Sequence, residues 1–402
     1  MKTVAIISEY NPFHSGHLHQ IEQIRAEFGE NTRIVAIMSG NYTQRAEIAF
    51  LDKAERAKMA VTCGINLVLE LPFPYSMASA ESFAEAGVRI ADALGCVDIL
   101  SFGSECGDID LLQAAAEILD SPTFVSAQKK SAKESPDIGH AALAQIELAG
   151  HFDEKTAKAL LSPNNILAIE YLKALKRVGS PITPYTVKRF GQDYRATGLE
   201  NAPHQSAGSI RAALREKNTE ALRFIPDAAR GVLLNAIANN NAPTDEARLS
   251  SAILSFFRLN EPTAFCQIAE AQGGLYNRLI TKSYEATDFY SLAALSQTKR
   301  FTNARIRRAI WFSFFGVTSS DIKKPVAFTR VLALDAIGRA VLREAKKAER
   351  ITIVTKPSEA PDAPMAKKQK ELSDRTDAVF QLTKPAPTVG NLAMLTSPYF
   401  KG

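Results

Sequence analysis

Apolar residues in the first hundred positions fall into four short runs, at 4–7, 34–38, 67–71 and 99–102, each the length of a buried strand. Between them the apolar spacing changes to a helical period, over 17–27, 51–62 and 78–94. Strands alternating with helices at this spacing predict βαβ units and a parallel sheet. Ligands of such sheets gather beyond the carboxyl ends of the strands. Those ends carry turn and polar residues: Glu9 to His17 after the first run, Ser39-Gly40-Asn41 after the second, Pro72 to Tyr75 after the third and Gly103-Ser104-Glu105 after the fourth.

Further along, an Ala- and Lys-rich stretch at about 121–161 predicts a helical insert. Ser162 and Pro163 then read as an N-cap and first helical residue for the periodic run 166–175, with Gly179 as its stop. Residues 184–187 predict one more strand, and Ser206-Ala207-Gly208-Ser209 a polar turn that opens a helix. From about residue 219 the alternation gives way to helical stretches at 219–239, 245–257 and 300–315. The expected organisation is therefore an α/β, Rossmann-like parallel-sheet domain over 1–218, followed by a mainly α-helical domain over 219–402. The proline- and lysine-bearing segment 356–370 reads as an exposed loop.

Composition narrows this picture only slightly. With 402 residues, 46% hydrophobic and 23% charged, the chain has ordinary globular content. A net charge of +5 leans towards polyanionic partners. The four cysteines form no C-x-x-C pair and read as reduced thiols. Glu9 interrupts the opening apolar run too early for a signal peptide, and no run approaches the ~18 residues a membrane span needs, so a cytoplasmic location is expected.

The candidate chemistry concentrates at the start. A buried strand, a break at Asn11-Pro12 and then His14-x-Gly16-His17 opening a helix form the order of a phosphate site. Gly16 would let a ligand lie against the backbone, and the helix would turn its unpaired N–H groups to that ligand. Two imidazoles in the turn supply donors where negative charge develops. Ser206-x-x-Ser209-Ile210-Arg211 offers a second cluster of hydroxyls, helix N–H groups and a cation for phosphate oxygens. A Ser cap on a surface helix has the same letters; its place downstream of the histidine motif gives it the functional reading. His14, His17 and His19 do not read as a metal site, because no Cys lies nearby and positions 17 and 19 face different sides of a helix.

His14-Ser15-Gly16-His17 resembles the HxGH signature of the nucleotidyltransferase superfamily. The wider set Glu9-Tyr10-Asn11-Pro12-Phe13-His14-Ser15-Gly16-His17, Met38-Ser39-Gly40-Asn41-Tyr42-Thr43-Gln44-Arg45, Glu70-Leu71-Pro72, Phe102-Gly103-Ser104-Glu105, Ser162-Pro163-Asn164-Asn165 and Ser206-Ala207-Gly208-Ser209-Ile210-Arg211 resembles the bacterial tRNA(Met) cytidine acetate ligase family. The likeness extends through Arg300-Phe301-Thr302, Arg305-Ile306 and Arg308 to Thr329-Arg330-Val331-Leu332, nearly the whole chain. Two positions depart from the family's Gln-Arg-Gly-Glu-Pro stretch: Ala46 and Ile48 stand where Gly and Pro are frequent.

The resemblance implies an ATP-dependent ligase acting in two steps. Acetate attacks the α-phosphate of ATP, and the N4 amine of the wobble cytidine in elongator tRNA(Met) then takes the acetyl group from acetyl-adenylate. It further implies an ATP loop of Ile7, Ser8, Glu9, Tyr10, Asn11, Pro12, Phe13, His14, Ser15, Gly16, His17, Leu18, His19 and Gln20. Gly103, Asn164, Arg189, Ser206 and Ser209 would add nucleotide contacts, with His14, His17, Ser209 and Arg211 in the catalytic roles. Mg²⁺ would arrive bound through the ATP phosphates. Lys53, Arg56 and Lys58 read as a solvated helix face, with Arg56 a further candidate for tRNA contact. Lys299, Arg300, Arg305, Arg307 and Arg308 stand in a segment, 297–320, without a single acid. Of these, Lys299, Arg300, Arg305 and Arg308 are the candidate RNA contacts, while Trp311 and the phenylalanines that follow read as core. A small-molecule adenylyltransferase or acetate-activating ligase would share the ATP loop without needing the basic helical half, and an RNA-binding protein holding ATP as a regulatory ligand would lack turnover.

Overall fold

Five strands pair in parallel in the order β5-β4-β1-β2-β3: β1 (Thr3–Ser8), β2 (Arg33–Ser39), β3 (Leu67–Leu71), β4 (Ile99–Ser104) and β5 (Thr183–Lys188). The computed structural model describes residues 1–134, 140–189, 199, 204–391 and 396–402. β2 and β3 are buried along their whole length, which is why they are dominated by apolar residues, with Glu70 the charged exception within β3. Helices α1 (Ser15–Phe28), α2 (Lys53–Thr62), α3 (Ala80–Ala93) and α4 (Ile109–Leu119) connect or cover these strands. The order of the strands reverses at β1, whose neighbours are β2 and β4. Both of their carboxyl ends open on the same cleft, the switch point where parallel sheets bind ligands.

The helical insert consists of α5 (Pro122–Glu134), α6 (His140–Ala149) and α7 (Glu154–Leu160); residues 135–139 within it lie outside the described residues. It leads into α8 (Pro163–Val178), capped at Gly179 in the left-handed region at φ 66°. Helix α9 (Ala207–Arg215) starts at Ser206, whose hydroxyl accepts the Ser209 N–H at 3.1 Å.

Beyond residue 218 the chain is mainly helical: α10 (Asp227–Ala238), α11 (Ser250–Leu259), α12 (Leu275–Ser283), α13 (Phe289–Ser296), α14 (Asn303–Phe315) and α15 (Ser319–Lys323). The expected single helix over 219–239 is split into a 3-10 turn and α10, because Pro226 has no N–H to continue the ladder. The chain then returns to the first sheet. Strand β6 (Phe328–Leu334) pairs antiparallel with β3, and α16 (Ala336–Ala348), β7 (Thr352–Val354), α17 (Pro364–Gln381) and β8 (Tyr399–Phe400) follow, with β7 and β8 both on β6. The sequence reading had no strand here.

Two further expectations are corrected. The segment 356–370 is not an exposed loop throughout: Pro364 is the first residue of α17, and Ala366 and Gln369 are buried. Proline at that position removes only an N–H that has no helical partner anyway. Nor do Lys53 and Arg56 lie on a solvated face, being 3% and 0% exposed. The Lys53 ammonium reaches Glu70 at 2.7 Å and Asp377 at 2.5 Å. Arg56 donates to the carbonyls of Leu51, Glu9, Ser39 and Gly40, tying the ends of β1 and β2 together. Buried cations are stable only when so partnered.

The aromatic face of α14 is core, as expected. Trp311, Phe312 and Phe315 are at most 1% exposed. Tyr42 packs edge-on against Trp311 and Phe315 at 5.5 and 5.4 Å. The helical half of the chain therefore forms the floor beneath the 42–49 loop.

Candidate active site

His14 and His17 do more than face a ligand; they cap α1. His14 is the N-cap, and its Nδ1 accepts the Gly16 N–H at 3.0 Å. The Nδ1 of His17 reaches back to accept the His14 N–H at 3.2 Å, completing a capping box. The rings lie 3.8 Å apart, centre to centre. Burial, then each other and Arg189, hold the His14 imidazole well below its ordinary range. His17 is pushed down to about 3 by burial and by the Arg189 charge. Both rings are neutral, and with Nδ1 accepting, the proton of each sits on Nε2. The result is two preset Nε2–H donors at a helix N-terminus. Gly16 is small for a reason other than the one expected. A Cβ there would lie 2.9 Å from the His14 ring, so the space belongs to the imidazole.

The cleft above this turn is lined by Ile7, Ser8, Glu9, Tyr10, Asn11, His14, His17 and Gln20 from the predicted loop. Gly103, Asn164, Arg189 and Arg211 line it from the other strand ends and helices. The remaining predicted residues support the loop from behind. Phe13 is fully buried, Leu18 packs on the core, and Pro12 follows Asn11 through a cis peptide. The Ser15 hydroxyl meets the His204 Nδ1 at 3.0 Å, and His19 lies against the His204 ring. Ser206 and Ser209 are buried with their hydroxyls 2.9 Å apart. From α9 it is Ala207 and Arg211 that reach the cleft.

Arg211 is held in place by two anchors: it donates to the Asn11 carbonyl at 2.9 Å and to Glu47 at 2.6 Å. Glu9 accepts the Gln44 N–H at 2.9 Å. These two links fasten the 42–49 loop to the histidine turn. Asn164 is likewise engaged, its backbone and side-chain N–H groups both donating to Glu105. The side chain of Arg189 crosses Gly103, where a Cβ would meet Arg189 Cγ at 3.2 Å.

Sequence reasoning missed Tyr171, Leu167 and Ile166 on α8, and Ala80 and Phe83 on α3, all of which line the cleft. Asn164, Leu167 and Tyr171 recur at helical spacing, so placing Asn164 in the site should have drawn in the other two. Four polar atoms of residues lining the cleft are buried without a hydrogen-bond partner among the described residues: Ser8 Oγ, Tyr10 Oη, Asn11 Nδ2 and Tyr171 Oη. Each such group costs about 1–3 kcal/mol until a ligand satisfies it.

The basic run divides. Lys299 and Arg300 are exposed and border a groove with Asn277 and Thr281. Arg305 and Arg308 both pair with Glu270, Arg308 being only 9% exposed, and Arg307 pairs with buried Glu246.

Comparison with known proteins matches this arrangement to an existing class. A family model described as HIGH Nucleotidyl Transferase covers residues 1–392. The tRNA(Met) cytidine acetate ligase of Thermoanaerobacter sp. (strain X514) is 37% identical over 366 residues, covering 89% of this chain and 90% of its own. That of Alkaliphilus metalliredigens (strain QYMF) is 33% identical, covering 100% and 99%. The chain belongs to the tRNA(Met) cytidine acetate ligase family. Two crystal structures of Thermotoga maritima TmcAL, one apo and one bound with alpha-thio ATP, superpose at TM-scores of 0.90 and 0.88. Each is 30% identical, covering 100% of this chain and 99% of that one. The two loop positions at which the resemblance implies Gly and Pro are Ala46 and Ile48 here. Ala46 adopts φ 60°, the left-handed region that glycine takes without strain. Ile48 is buried beneath the loop, bridging to Tyr42.

Among the described residues, no helix is long and apolar enough to cross a membrane.

Proposed function

We propose that this chain is an ATP-dependent ligase that acetylates N4 of the wobble cytidine in elongator tRNA(Met). The observation that carries the reading is the reciprocal capping of His14 and His17 at the switch point of the sheet. In the first step, a carboxylate oxygen of acetate attacks the α-phosphate of ATP, pyrophosphate leaves, and acetyl-adenylate remains. Negative charge grows on the phosphate oxygens, and the two neutral Nε2–H groups donate to it without needing to change protonation. Arg211, lining the same cleft, neutralises it, held by Asn11 and Glu47 so that little reorganisation is required. Asn11 Nδ2 and Tyr171 Oη are among the unsatisfied groups of the cleft that a nucleotide would satisfy. Among the described residues lining the cleft, Glu9 is the one carboxylate, so the residues suit Mg²⁺ held by the phosphates and not by a protein cage. When bound there, it offsets phosphate charge.

In the second step the cytidine N4 amine attacks the acetyl carbon and AMP leaves. The substrate tRNA is read as lying towards exposed Lys299 and Arg300, whose position suits phosphate contact. A family match along the full chain supports the RNA acceptor over a small molecule. The test is acetate-dependent exchange of labelled pyrophosphate into ATP, followed by digestion of tRNA to nucleosides. Exchange together with N4-acetylcytidine is expected. Exchange without the acetylated nucleoside would point to a small-molecule acceptor, and no exchange to a non-catalytic ATP binder.

A further inference from the structure

Acetyl transfer leaves one chemical requirement open. When cytidine N4 bonds to the acetyl carbon, the carbon–oxygen bond to AMP breaks and its electron pair leaves with the phosphate. One N4 proton must then go to a base. Resting on the ligase reading above, we infer that Glu9 is the catalytic residue that takes this proton, on its Oε2.

The cleft offers few alternatives among the described residues. His14 and His17 carry their proton on Nε2 and spend Nδ1 on backbone N–H groups, so neither presents a lone pair. Tyr10 and Tyr171 are buried and keep their phenolic protons, both being pushed up by burial. The guanidinium groups of the cleft are acids, not bases. Glu9 is different. It follows β1 at the cleft, its carbonyl gripped by Arg56 and its Oε1 fixed by the Gln44 N–H at 2.9 Å. Its Oε2 has no hydrogen-bond partner among the described residues and no cation within ion-pair distance. One oxygen is thus an orienting acceptor and the other remains available for a proton.

The surrounding charge tunes it. Burial raises the Glu9 carboxyl; the Gln44 N–H and Arg211 on α9 pull the other way, Glu47 raises it and Arg45 lowers it. Arg56 on α2 and Tyr171 on α8 complete the neighbouring titratable groups. The net effect is upwards, towards a carboxylate of greater basicity, which is what an acceptor of an amine proton needs. The Gln44 N–H also makes the 42–49 loop the part that aims this oxygen.

The experiment uses the full chain with ATP, acetate and tRNA(Met), comparing Glu9→Gln and Glu9→Asp with the unaltered protein. For each, acetate-dependent pyrophosphate exchange, trapping of the acetyl group by hydroxylamine and single-turnover acetylation of tRNA are followed. General-base loss predicts that Glu9→Gln lowers transfer to tRNA at least a hundredfold more than it lowers exchange. Hydroxylamine, a stronger nucleophile, still captures the acetyl group. The unaltered protein's transfer rate rises with pH through an ionisation above the usual carboxylate range. Glu9→Asp keeps that rise at a reduced rate, and Glu9→Gln abolishes it. Equal loss of exchange and transfer in Glu9→Gln would overturn the inference, as would a transfer rate with an unaltered pH profile. If the unaltered chain exchanges pyrophosphate but never acetylates tRNA, the ligase reading itself fails, and the control identifies that case.

Discussion

The backbone N–H of His14 donates to the Nδ1 of His17 across a single turn, at 3.2 Å. This bond sets the tautomer of the second ring, and the Gly16 N–H does the same for the first. Both imidazoles should therefore stay neutral, with protons on Nε2, from pH 8 to pH 5. Nitrogen-15 spectra of the side chains test this; a titration of either ring near its ordinary value would refute it. The sign for stability follows. The unfolded rings take up protons near pH 6.5 while the folded ones do not, so the unfolded state binds more protons below that point. For His17, stability is expected to fall as pH drops from about 6.5 towards 3, by up to about 1.4 kcal/mol per pH unit, and His14, also held well below its ordinary range, adds to the loss in the same direction.

Lys53 neutralises two buried carboxylates from distant parts of the chain, Glu70 on β3 and Asp377 on α17. Burial lowers its basicity, and the two carboxylates raise it more. Lys53→Met should cost about 3–5 kcal/mol near neutral pH, because it leaves both acids uncompensated. Burial already holds the Asp377 carboxyl up to about 6, so part of that loss should be recovered near pH 5 as Asp377 takes a proton. Urea unfolding at the two pH values is the measurement; equal losses would mean that Asp377 is not the group relieved.

The basic run should separate by position. Lys299→Glu with Arg300→Glu should weaken tRNA binding at least tenfold, reduce its salt dependence and leave the melting temperature within about 2 °C. Arg308→Glu should instead destabilise the fold by about 2–4 kcal/mol, since it buries a carboxylate beside Glu270. Filter binding over a salt series, alongside thermal melts, distinguishes the two sets. Weak binding in the second set with an intact fold would return Arg308 to the RNA surface.

Ala46 and Ala36 are both fully buried, but only Ala46 has a positive φ. Replacement by glycine removes the same methyl group at each. At Ala46 it also relieves backbone strain of about 1 kcal/mol, so Ala46→Gly should cost about 1 kcal/mol less than Ala36→Gly. Chemical denaturation of the two variants measures the difference directly, and equal costs would show that the turn carries no strain.

The strands β1 to β4 were legible because burial on both faces leaves short apolar runs, and the turn residues at their ends mark them as strands and not as buried helix segments. The histidine turn was legible because its residues are contiguous. What escaped the sequence depends on partners far away. Lys53 and Arg56 look solvated in their own helix, and only Asp377 and the carbonyls at the ends of β1 and β2 reveal otherwise. Strand β6 escaped because it stands alone after a helical stretch, with its partner β3 early in the chain. Of the basic run, Lys299 and Arg300 could not be told from Arg307 and Arg308 without Glu246 and Glu270, whose approach is set by the tertiary fold.

The antiparallel pairing of β3 with β6 also bears on how the molecule is made. The Thr329 hydroxyl donates to the Glu70 carbonyl across 259 positions of sequence. A ribosome at about 5–20 residues per second therefore exposes β3 for about 10–50 seconds before its outer neighbour exists. During that interval a strand edge with four apolar residues in five is open to other chains. Translation speed and chaperone cover, more than final stability, should set the yield of active protein.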